Sequence, residues 1–425
     1  MPGEGPPLRV PYPVVSRYDV EVPSSRPKVL GLIFSLAAIT YMDRLLISAA
    51  APAISAEFGF GPRRMGYIFG AFALGYALFE IPAGWWGDSI GARRALARIV
   101  LCWSAFTALT GAATGFLSLL TVRFLFGAGE AGAFPNIARA VANWFPHRER
   151  GRAMSTSFLG LAVGASFTAP LVLGLIARQG WRVVFFEFGL LGVAWTVVWL
   201  LLFEDRPREI HGQVIEAIEH VGWRDFLPGG RLFQANLFRI CGMYFAYGYS
   251  LYFYISWLPT YLLKGRGFSP AYTGLFSALP WIFSAAGYMT GGWLTDRIGR
   301  TGNLKRARCG VGICGYTISG LLLIVVALTP DRTIAAGVLA CAAFFQAITV
   351  APAWAVCLDV GHRRAGLVTG CMNTSGNLGG ALAPVVMGAI VESFGSWDYP
   401  FYLTAAIFGV GVVMWVSVDP KKRLV

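Results

Sequence analysis

An arginine and a glutamate lie seven residues apart inside a long apolar stretch of this sequence. Arg123 and Glu130 fall within the apolar run 116–141, and a separation of two helical turns puts both on one face of a helix. A run of this length and composition is typical of a membrane-spanning helix. Charged side chains in hydrocarbon usually face a partner or a wet cavity. The pair therefore indicates either an ion pair that holds two helices together or an anion-binding arginine beside a protonatable carboxylate.

The composition of the whole chain favours a membrane setting for these charges. Of the 425 residues, 56% are hydrophobic and only 13% are charged, whereas soluble domains carry about 25% charged residues. The net charge of +13 does not indicate nucleic-acid binding, because the basic residues lie in short gaps between apolar runs. The seven cysteines show neither metal-ligand spacing nor a disulfide framework. No metal site is therefore expected.

Twelve apolar runs, each long enough to cross about 30 Å of hydrocarbon, form two sets of six. They lie near residues 29–56, 65–86, 95–114, 116–141, 153–176, 183–203, 235–262, 272–294, 308–328, 333–357, 366–391 and 399–418. The sequence thus predicts an all-α polytopic membrane protein with twelve transmembrane helices in two six-helix halves. Its predicted parts are a cytoplasmic tail (1–27), a first half (28–203), a cytoplasmic linker (204–233), a second half (234–418) and a second tail (419–425).

The distribution of basic residues predicts the topology. Of the 35 lysines and arginines, 24 lie on the side of the two termini, 7 lie on the other side and four lie within the runs. Basic residues are concentrated in cytoplasmic loops, so both termini are predicted to be cytoplasmic.

A loop sequence repeats between the two sets of runs. Segment 84–94 reads Gly-x-x-x-Asp-x-x-Gly-x-Arg-Arg after the second run, and segment 292–300 reads Gly-x-x-x-Asp-Arg-x-Gly-Arg after the eighth. Segment 170–174 (Pro-x-x-x-Gly) of the fifth run is likewise matched by segment 384–388 of the eleventh. Parallel six-helix repeats around a central site are the architecture of one large class of transporters.

Further segments accompany this repeat, and together they carry a resemblance to a known family. They are Tyr41-Met-Asp43-Arg44, Gly75-Tyr76, Arg123-x-x-x-Gly127-x-x-Glu130 and Trp144-Phe-Pro. From Lys28 to Asp419 the chain resembles the major facilitator superfamily, and within it the anion:cation symporter family, which includes bacterial sugar-acid importers. The resemblance implies a transporter rather than an enzyme, functional as a monomer in the bacterial inner membrane, with a proton as coupling ion and no cofactor.

The resemblance also implies roles for four charged residues. Arg44 and Arg123 would bind the substrate carboxylate, and Asp43 and Glu130 would carry protons. A guanidinium stays charged and grips a carboxylate bidentately, whereas a carboxylate in a low-dielectric cavity can change its protonation state. Protonation of Glu130 would then relax its competition with the substrate for Arg123. Salt bridges to other helices remain alternatives for Asp43 and Arg44.

Five polar or aromatic residues are further candidates for the substrate cavity: Tyr76, Tyr247, Trp354, Asn373 and Asn377. The amides of the two asparagines, one turn apart, would bind substrate hydroxyls or join helices. Trp354 would stack on a sugar face, and Tyr76 would be either a cavity hydroxyl or a packing residue.

Tyr247 belongs to a stripe that also contains Tyr244, Tyr254 and Tyr261. Its position near the middle of the seventh run makes it a candidate wall of the cavity. For the other three, contact with lipid or its interface is the expected environment.

The repeated loops carry a separate set of charged residues, which by the resemblance are gating contacts between the halves rather than substrate ligands. They are Asp88, Arg93, Arg94, Asp296 and Arg300.

Two departures from the family pattern bear on the substrate. Glu80 stands where the family commonly has glutamine, and it would perturb coupling or pair with Arg139. The fifth run offers hydroxyls but neither amides nor charges, which favours a substrate less hydroxylated than a hexonate. The expected function is proton-coupled uptake of a small organic anion, most simply a sugar acid such as a hexuronate, aldonate or aldarate. A less hydroxylated or aromatic carboxylate, exchange or uniport without protons, and a non-transporting sensor remain alternatives.

Overall fold

The computed structural model describes residues 26–145, 149–205, 234–361 and 365–422, with side chains throughout except at 81, 84–89, 151–152 and 365–367. Most of the predicted N-terminal tail and of the predicted linker lies outside these residues.

The described residues of the first half form seven helices that make six spans, because α4 and α5 share the fourth. They are α1 (Arg26–Phe58), α2 (Pro62–Ile90), α3 (Ala92–Gly111), α4 (Phe116–Glu130), α5 (Ala133–Trp144), α6 (Arg150–Gln179) and α7 (Trp181–Leu202).

The second half also makes six spans, three of them from more than one helical segment. The seventh span comprises α8 (Ala235–Ser256), α9 (Leu258–Thr260) and a π-helical turn (Tyr261–Gly265), and the eighth is α10 (Pro270–Gly299). The ninth comprises a π-helical turn (Arg306–Gly310) and α11 (Val311–Leu328), and the tenth comprises α12 (Arg332–Ile348) and α13 (Val350–Gly361). The last two are α14 (Ala365–Phe394) and α15 (Asp398–Ser417).

The described residues therefore form the twelve spans that the sequence predicted. Eight of these spans are long and apolar enough to cross a membrane by length and composition alone. Helices suit this setting because each satisfies its own backbone hydrogen bonds where no water is available.

The packing of the helices repeats between the halves. In the first half α1 packs on α6, α2 on α4 and α3 on α7; the corresponding pairs in the second half are α8 with α14, α10 with α12 and α11 with α15. Between the halves, α2 packs on α14 and α10 packs on α6. In the repeat α2 corresponds to α10 and α14 corresponds to α6, so these two pairs between the halves are equivalent. The halves are therefore related by a pseudo-twofold axis along the bundle, as in parallel transporter repeats.

The fourth span is broken, whereas the sequence analysis predicted one continuous helix over 116–141. Gly132 separates α4 from α5 and has a φ of 90°, in the left-handed region that glycine adopts readily. A Cβ there would lie 2.7 Å from Cβ of Ala83 on α2. The break makes Glu130 the last residue of α4.

Glycines let α2 and α4 approach closely. A Cβ on Gly127 would lie 2.0 Å from the carbonyl oxygen of Phe72, and one on Gly75 would lie 2.2 Å from that of Phe124. Small residues at such positions allow the backbones of membrane helices to touch. Gly127 therefore serves the contact with α2 that positions the charged end of α4.

Replacing Gly127 with alanine should destabilise the protein, because the backbone of α2 would have to move. Overpacking of this kind costs roughly 1–3 kcal/mol, which a thermal unfolding measurement in detergent would detect. Gly337→Ala is the matched control, since a Cβ at this position in α12 would have no neighbour within 4 Å. An unchanged melting temperature for Gly127→Ala would contradict the close contact.

Contacts between the halves are found at the end of the bundle that carries the α1–α2 loop. Arg63 of α2 lies 3.7 Å from the Glu392 carboxylate of α14. A Cβ on Gly66 would lie 2.4 Å from the carbonyl oxygen of Pro384. Deeper in the bundle, the Ser48 hydroxyl of α1 donates to the carbonyl of Ser256 over 2.9 Å. The bundle is closed at this end, which is called the loop end below.

Candidate functional site

A buried salt bridge joins α1 to the end of α4. Arg44 Nε donates to Glu130 Oε1 over 2.5 Å, and the two side chains are 6% and 0% exposed. In this conformation Glu130 therefore pairs with Arg44, and its competition with the substrate for Arg123 stays a prediction. Arg123 and Glu130 lie two turns apart on one helix face, which separates them by about 10 Å along the axis. An arginine on a neighbouring helix therefore reaches Glu130 more easily.

Aromatic rings surround the Arg44 guanidinium. Its central carbon lies 4.6 Å from the ring centre of Tyr76, 5.2 Å from that of Tyr41 and 5.4 Å from that of Phe72. The faces of such rings attract cations, so the cage stabilises a charged arginine away from water. Tyr76 contributes its ring to this cage, as a packing residue would.

Arg123 lies close to the same cage without a salt bridge among the described residues. Its side chain is buried, and its guanidinium carbon lies 4.3 Å from the ring centre of Phe126 and 5.1 Å from that of Phe72. Its Nε has no hydrogen-bond partner in the described part of the chain. A buried guanidinium without a salt bridge among the described residues is costly, which makes this group a candidate anion ligand.

Asp43 points away from Arg44, toward α3. Its carboxylate is buried; Oδ1 accepts a hydrogen bond from the Thr107 hydroxyl over 3.4 Å, and Oδ2 has no partner among the described residues. A salt bridge from Asp43 to another helix, the alternative from the sequence, is not present in the described residues.

The cluster therefore has spare donors and acceptors in one buried place. In the described residues, Nη2 of Arg44 and Oε2 of Glu130 also lack partners. The free N–H groups suit an oxyanion, and the free carboxylate oxygens suit protons. Such an arrangement can exchange an internal carboxylate for a bound one.

The second half faces this cluster with amides and hydroxyls. Asn373 and Asn377 of α14 both donate to the carboxylate of Glu80 on α2, over 2.5 and 3.3 Å. The Tyr252 hydroxyl donates to Oδ1 of Asn377 over 3.3 Å. The two asparagines therefore join helices across the halves in this conformation.

The tyrosine stripe of the seventh span is buried, contrary to the expected contact with lipid or its interface. Tyr244, Tyr254 and Tyr261 are 7%, 3% and 1% exposed, because the stripe faces other helices of the bundle. Tyr247 is buried too, and its hydroxyl lies 3.3 Å from that of Tyr288 on α10. Trp354 of α13 is more open, at 37% exposed, and its indole N–H donates to the Tyr244 hydroxyl over 3.0 Å.

The profile of the Major Facilitator Superfamily matches residues 33–384 and 360–425. The chain belongs to the major facilitator superfamily. This confirms the family that the loop repeat and the charged motifs predicted.

Relatives within the superfamily cover nearly the whole chain. The chain is 36% identical over 406 residues to the probable sulfoacetate transporter of Cupriavidus necator, spanning 93% of this chain and 94% of that one. It is 30% identical to the hexuronate transporter of Bacillus subtilis, with 89% and 91% covered, and 30% identical to the D-galactonate transporter of Escherichia coli, with 95% and 99% covered. The protein is therefore a multi-pass membrane transporter and not an enzyme.

A solved structure shares the fold. It is a bacterial homologue of the human lysosomal transporter Spinster in an inward-facing and unoccupied conformation, with a TM-score of 0.77 and 19% identity. It covers 93% of this chain and 97% of its own.

Where they are described, the predicted gating residues of this superfamily member contact residues of their own half or of the adjoining start of the predicted linker. The backbone N–H of Arg93 donates to Asp205 over 2.8 Å, and its guanidinium donates to the carbonyl of Leu200. Arg94 is exposed, and the backbone N–H of Arg300 donates to the carbonyl of Asp296. The side chain of Asp88 lies outside the described residues. Gating by these residues stays a prediction.

Sequence reasoning missed three neighbours of the cluster. Thr107 and Tyr252 stand in apolar spans without any charge or motif beside them, and Phe72 is one of 31 phenylalanines. The only available signal was spacing, since Phe72 lies one turn before Tyr76 on α2.

Proposed function

We propose that this transporter carries a small organic anion inward together with protons. The observation that carries the proposal is the buried Arg44–Glu130 salt bridge beside a second buried arginine, Arg123, that no described carboxylate pairs. Glu130 supplies an internal carboxylate where a substrate carboxylate would bind. A group that can leave this position by taking a proton provides a direct route to coupling.

The coupling follows from charge. While Glu130 is ionised, it occupies the Arg44 guanidinium. When Glu130 takes a proton, its attraction for Arg44 falls, and the guanidinium becomes available to the substrate together with Arg123. Asp43, with a free oxygen on the other side of the cluster, is a second proton carrier. Tyr247 and Trp354 line the second half of the route.

The names of the relatives support an organic anion as the substrate. Sulfoacetate, hexuronate and D-galactonate transporters each resemble this chain over most of its length. A sugar acid such as a hexuronate, an aldonate or an aldarate fits the proposal best, because two of these three relatives are named for sugar acids and the amides of Asn373 and Asn377 lie on the facing half.

Alternating access would move the two halves against each other. We propose that both termini lie in the cytoplasm of a bacterium, because the basic residues are concentrated on their side, and that the protein acts as a monomer in the inner membrane. The closed loop end then faces outward. The charged residues of the repeated loops would form the opposite gate when the cytoplasmic end closes.

Thermal unfolding of the purified protein against a panel of organic anions tests the function. A ligand at a hundred times its dissociation constant should stabilise the protein by about 2.7 kcal/mol, so one class of carboxylates or sulfonates should raise the melting temperature. Neutral sugars of the same size are the control. Stabilisation by cations or neutral compounds only, with none by anions, would contradict the proposal. If uptake of the anion does not depend on a pH gradient, exchange or uniport would be the remaining transport mechanisms.

A further inference from the structure

A second buried acid bridges the two halves. Glu80 of α2 is 8% exposed. Its Oε1 lies 2.5 Å from Nδ2 of Asn373, and its Oε2 lies 3.3 Å from Nδ2 of Asn377. The asparagines are one helical turn apart, so both amides meet one carboxylate. The amides that the sequence predicts either to bind substrate hydroxyls or to join helices are held by an acid of the protein itself.

The surroundings of Asn377 determine which way its amide points. Its Nδ2 also donates to the backbone carbonyl of Asn373 over 3.2 Å, and its Oδ1 accepts from the Tyr252 hydroxyl. A carbonyl oxygen only accepts hydrogen bonds, so the NH2 group of Asn377 is the one that faces it and Glu80. Oε2 of Glu80 thus acts as an acceptor, and Oε1 accepts from Nδ2 of Asn373, which is the hydrogen bonding of an ionised carboxylate.

Glu80 lies a short distance from the arginines along α2. It follows Tyr76 by one helical turn on the same face, a rise of about 6 Å, and the Tyr76 ring stacks on Arg44. A substrate bound between these groups would therefore meet an arginine end, formed by Arg44 and Arg123, and an acidic end, formed by Glu80 and its asparagine partners. A six-carbon chain of five C–C bonds, each about 1.5 Å long, is roughly 6 Å in extent, which matches the rise along α2 between the two ends.

We propose that Glu80 selects the charge of the transported anion, so that six-carbon hydroxy acids with one carboxylate are carried in preference to the corresponding dianions. This inference rests on the proposed function, in which the arginine end binds a carboxylate. A hydroxyl at the far end of the substrate donates to Glu80. A second carboxylate there places two like charges together away from water, which disfavours binding. Glu80 does not disfavour dianions that are too short to reach it, because both of their charges lie at the arginine end.

Galactonate and galactarate make a matched pair for the test, since they share one carbon chain and differ by one terminal carboxylate. Calorimetric titration of the purified protein at constant neutral pH should give galactonate an affinity about tenfold or more above that of galactarate. Glu80→Gln keeps the shape and the hydrogen bonding but removes the charge, so the preference should fall by about tenfold. Gluconate and glucarate provide an independent second pair.

Glu392→Gln is the control variant. Glu392 also lies between α14 and α2, where it contacts Arg63 at the loop end, so its loss perturbs the same helix pair outside the cavity. The preference for the monoanion should be unchanged in this variant. If the substitution changes the balance between conformations, it changes the affinities for both anions by the same factor, and their ratio is unaffected.

Three outcomes would overturn the inference and leave the proposed function standing. They are equal wild-type affinities for the paired anions, a preference that survives in Glu80→Gln, and binding of other organic anions with none of these six-carbon acids. The ratio of the wild-type affinities for galactonate and galactarate requires no variant, so it tests the inference even if Glu80→Gln does not fold. If no organic anion binds at all, the proposed function fails as well.

Discussion

Arg123→Ala should abolish anion binding and leave the protein folded. Arg123 has no salt bridge among the described residues, so its removal breaks no ion pair within that part of the chain. In the bound state a guanidinium donates two charge-assisted hydrogen bonds to a carboxylate, each contributing about 1.5–3 kcal/mol. The dissociation constant should therefore rise more than about 100-fold. Thermal shift and calorimetric titration with the anion found in the panel would measure it.

Two further variants make this result specific. Arg123→Lys keeps the charge but loses the two-pronged geometry, so its affinity should fall between those of the wild type and the alanine variant. Arg182→Ala removes an arginine of the same half at the loop end, where it pairs with Glu57, and affinity should be unaffected. Full affinity in Arg123→Ala would remove this arginine from the binding site and leave Arg44 as the only remaining anchor.

The helices and their repeat were predictable because they depend on properties that are local in sequence. Run length and apolar composition gave the twelve spans, and two copies of one loop motif gave the two halves. The break at Gly132 was not predictable in the same way. It depends on the approach of α2 at Ala83, and a glycine inside an apolar run gives no sign of its φ angle.

The partners of the charged residues depend on helix packing, which periodicity does not contain. Periodicity placed Arg123 and Glu130 on one face, but it could not show that Arg44 on α1 reaches Glu130 first. For the same reason periodicity predicts contact with lipid or its interface for Tyr244, Tyr254 and Tyr261, although these residues lie between helices. The contact of Glu80 with Asn373 joins residues 293 positions apart, beyond the reach of any local pattern.

Glu130→Gln should separate exchange from accumulation. Glutamine keeps the length of the side chain and an oxygen that accepts from Arg44, but it cannot take up or release a proton. The variant therefore resembles permanently protonated Glu130, the form in which the arginines are available to the substrate. In proteoliposomes, counterflow of labelled substrate against unlabelled substrate should persist.

Accumulation driven by a pH gradient should be lost in the same variant. One pH unit corresponds to 1.36 kcal/mol per proton, so the wild type can concentrate its substrate up to about tenfold for each coupled proton. Glu130→Gln cannot carry a proton at this position, so the driving force from that proton is lost. If this residue carries the only coupled proton, the ratio of internal to external substrate concentration falls toward one. Glu57→Gln, which changes an exposed acid at the loop end, is the control and should accumulate substrate as the wild type does.

The comparison with Asp43→Asn decides how the two carboxylates divide the task. Asp43 bonds to Thr107 rather than to an arginine, so its protonation does not release Arg44. If Glu130 alone controls the arginine, Asp43→Asn should reduce the ratio without abolishing accumulation. Full accumulation in Glu130→Gln would instead show that the Arg44–Glu130 salt bridge is structural, and Asp43 would then be the residue that couples transport to protons.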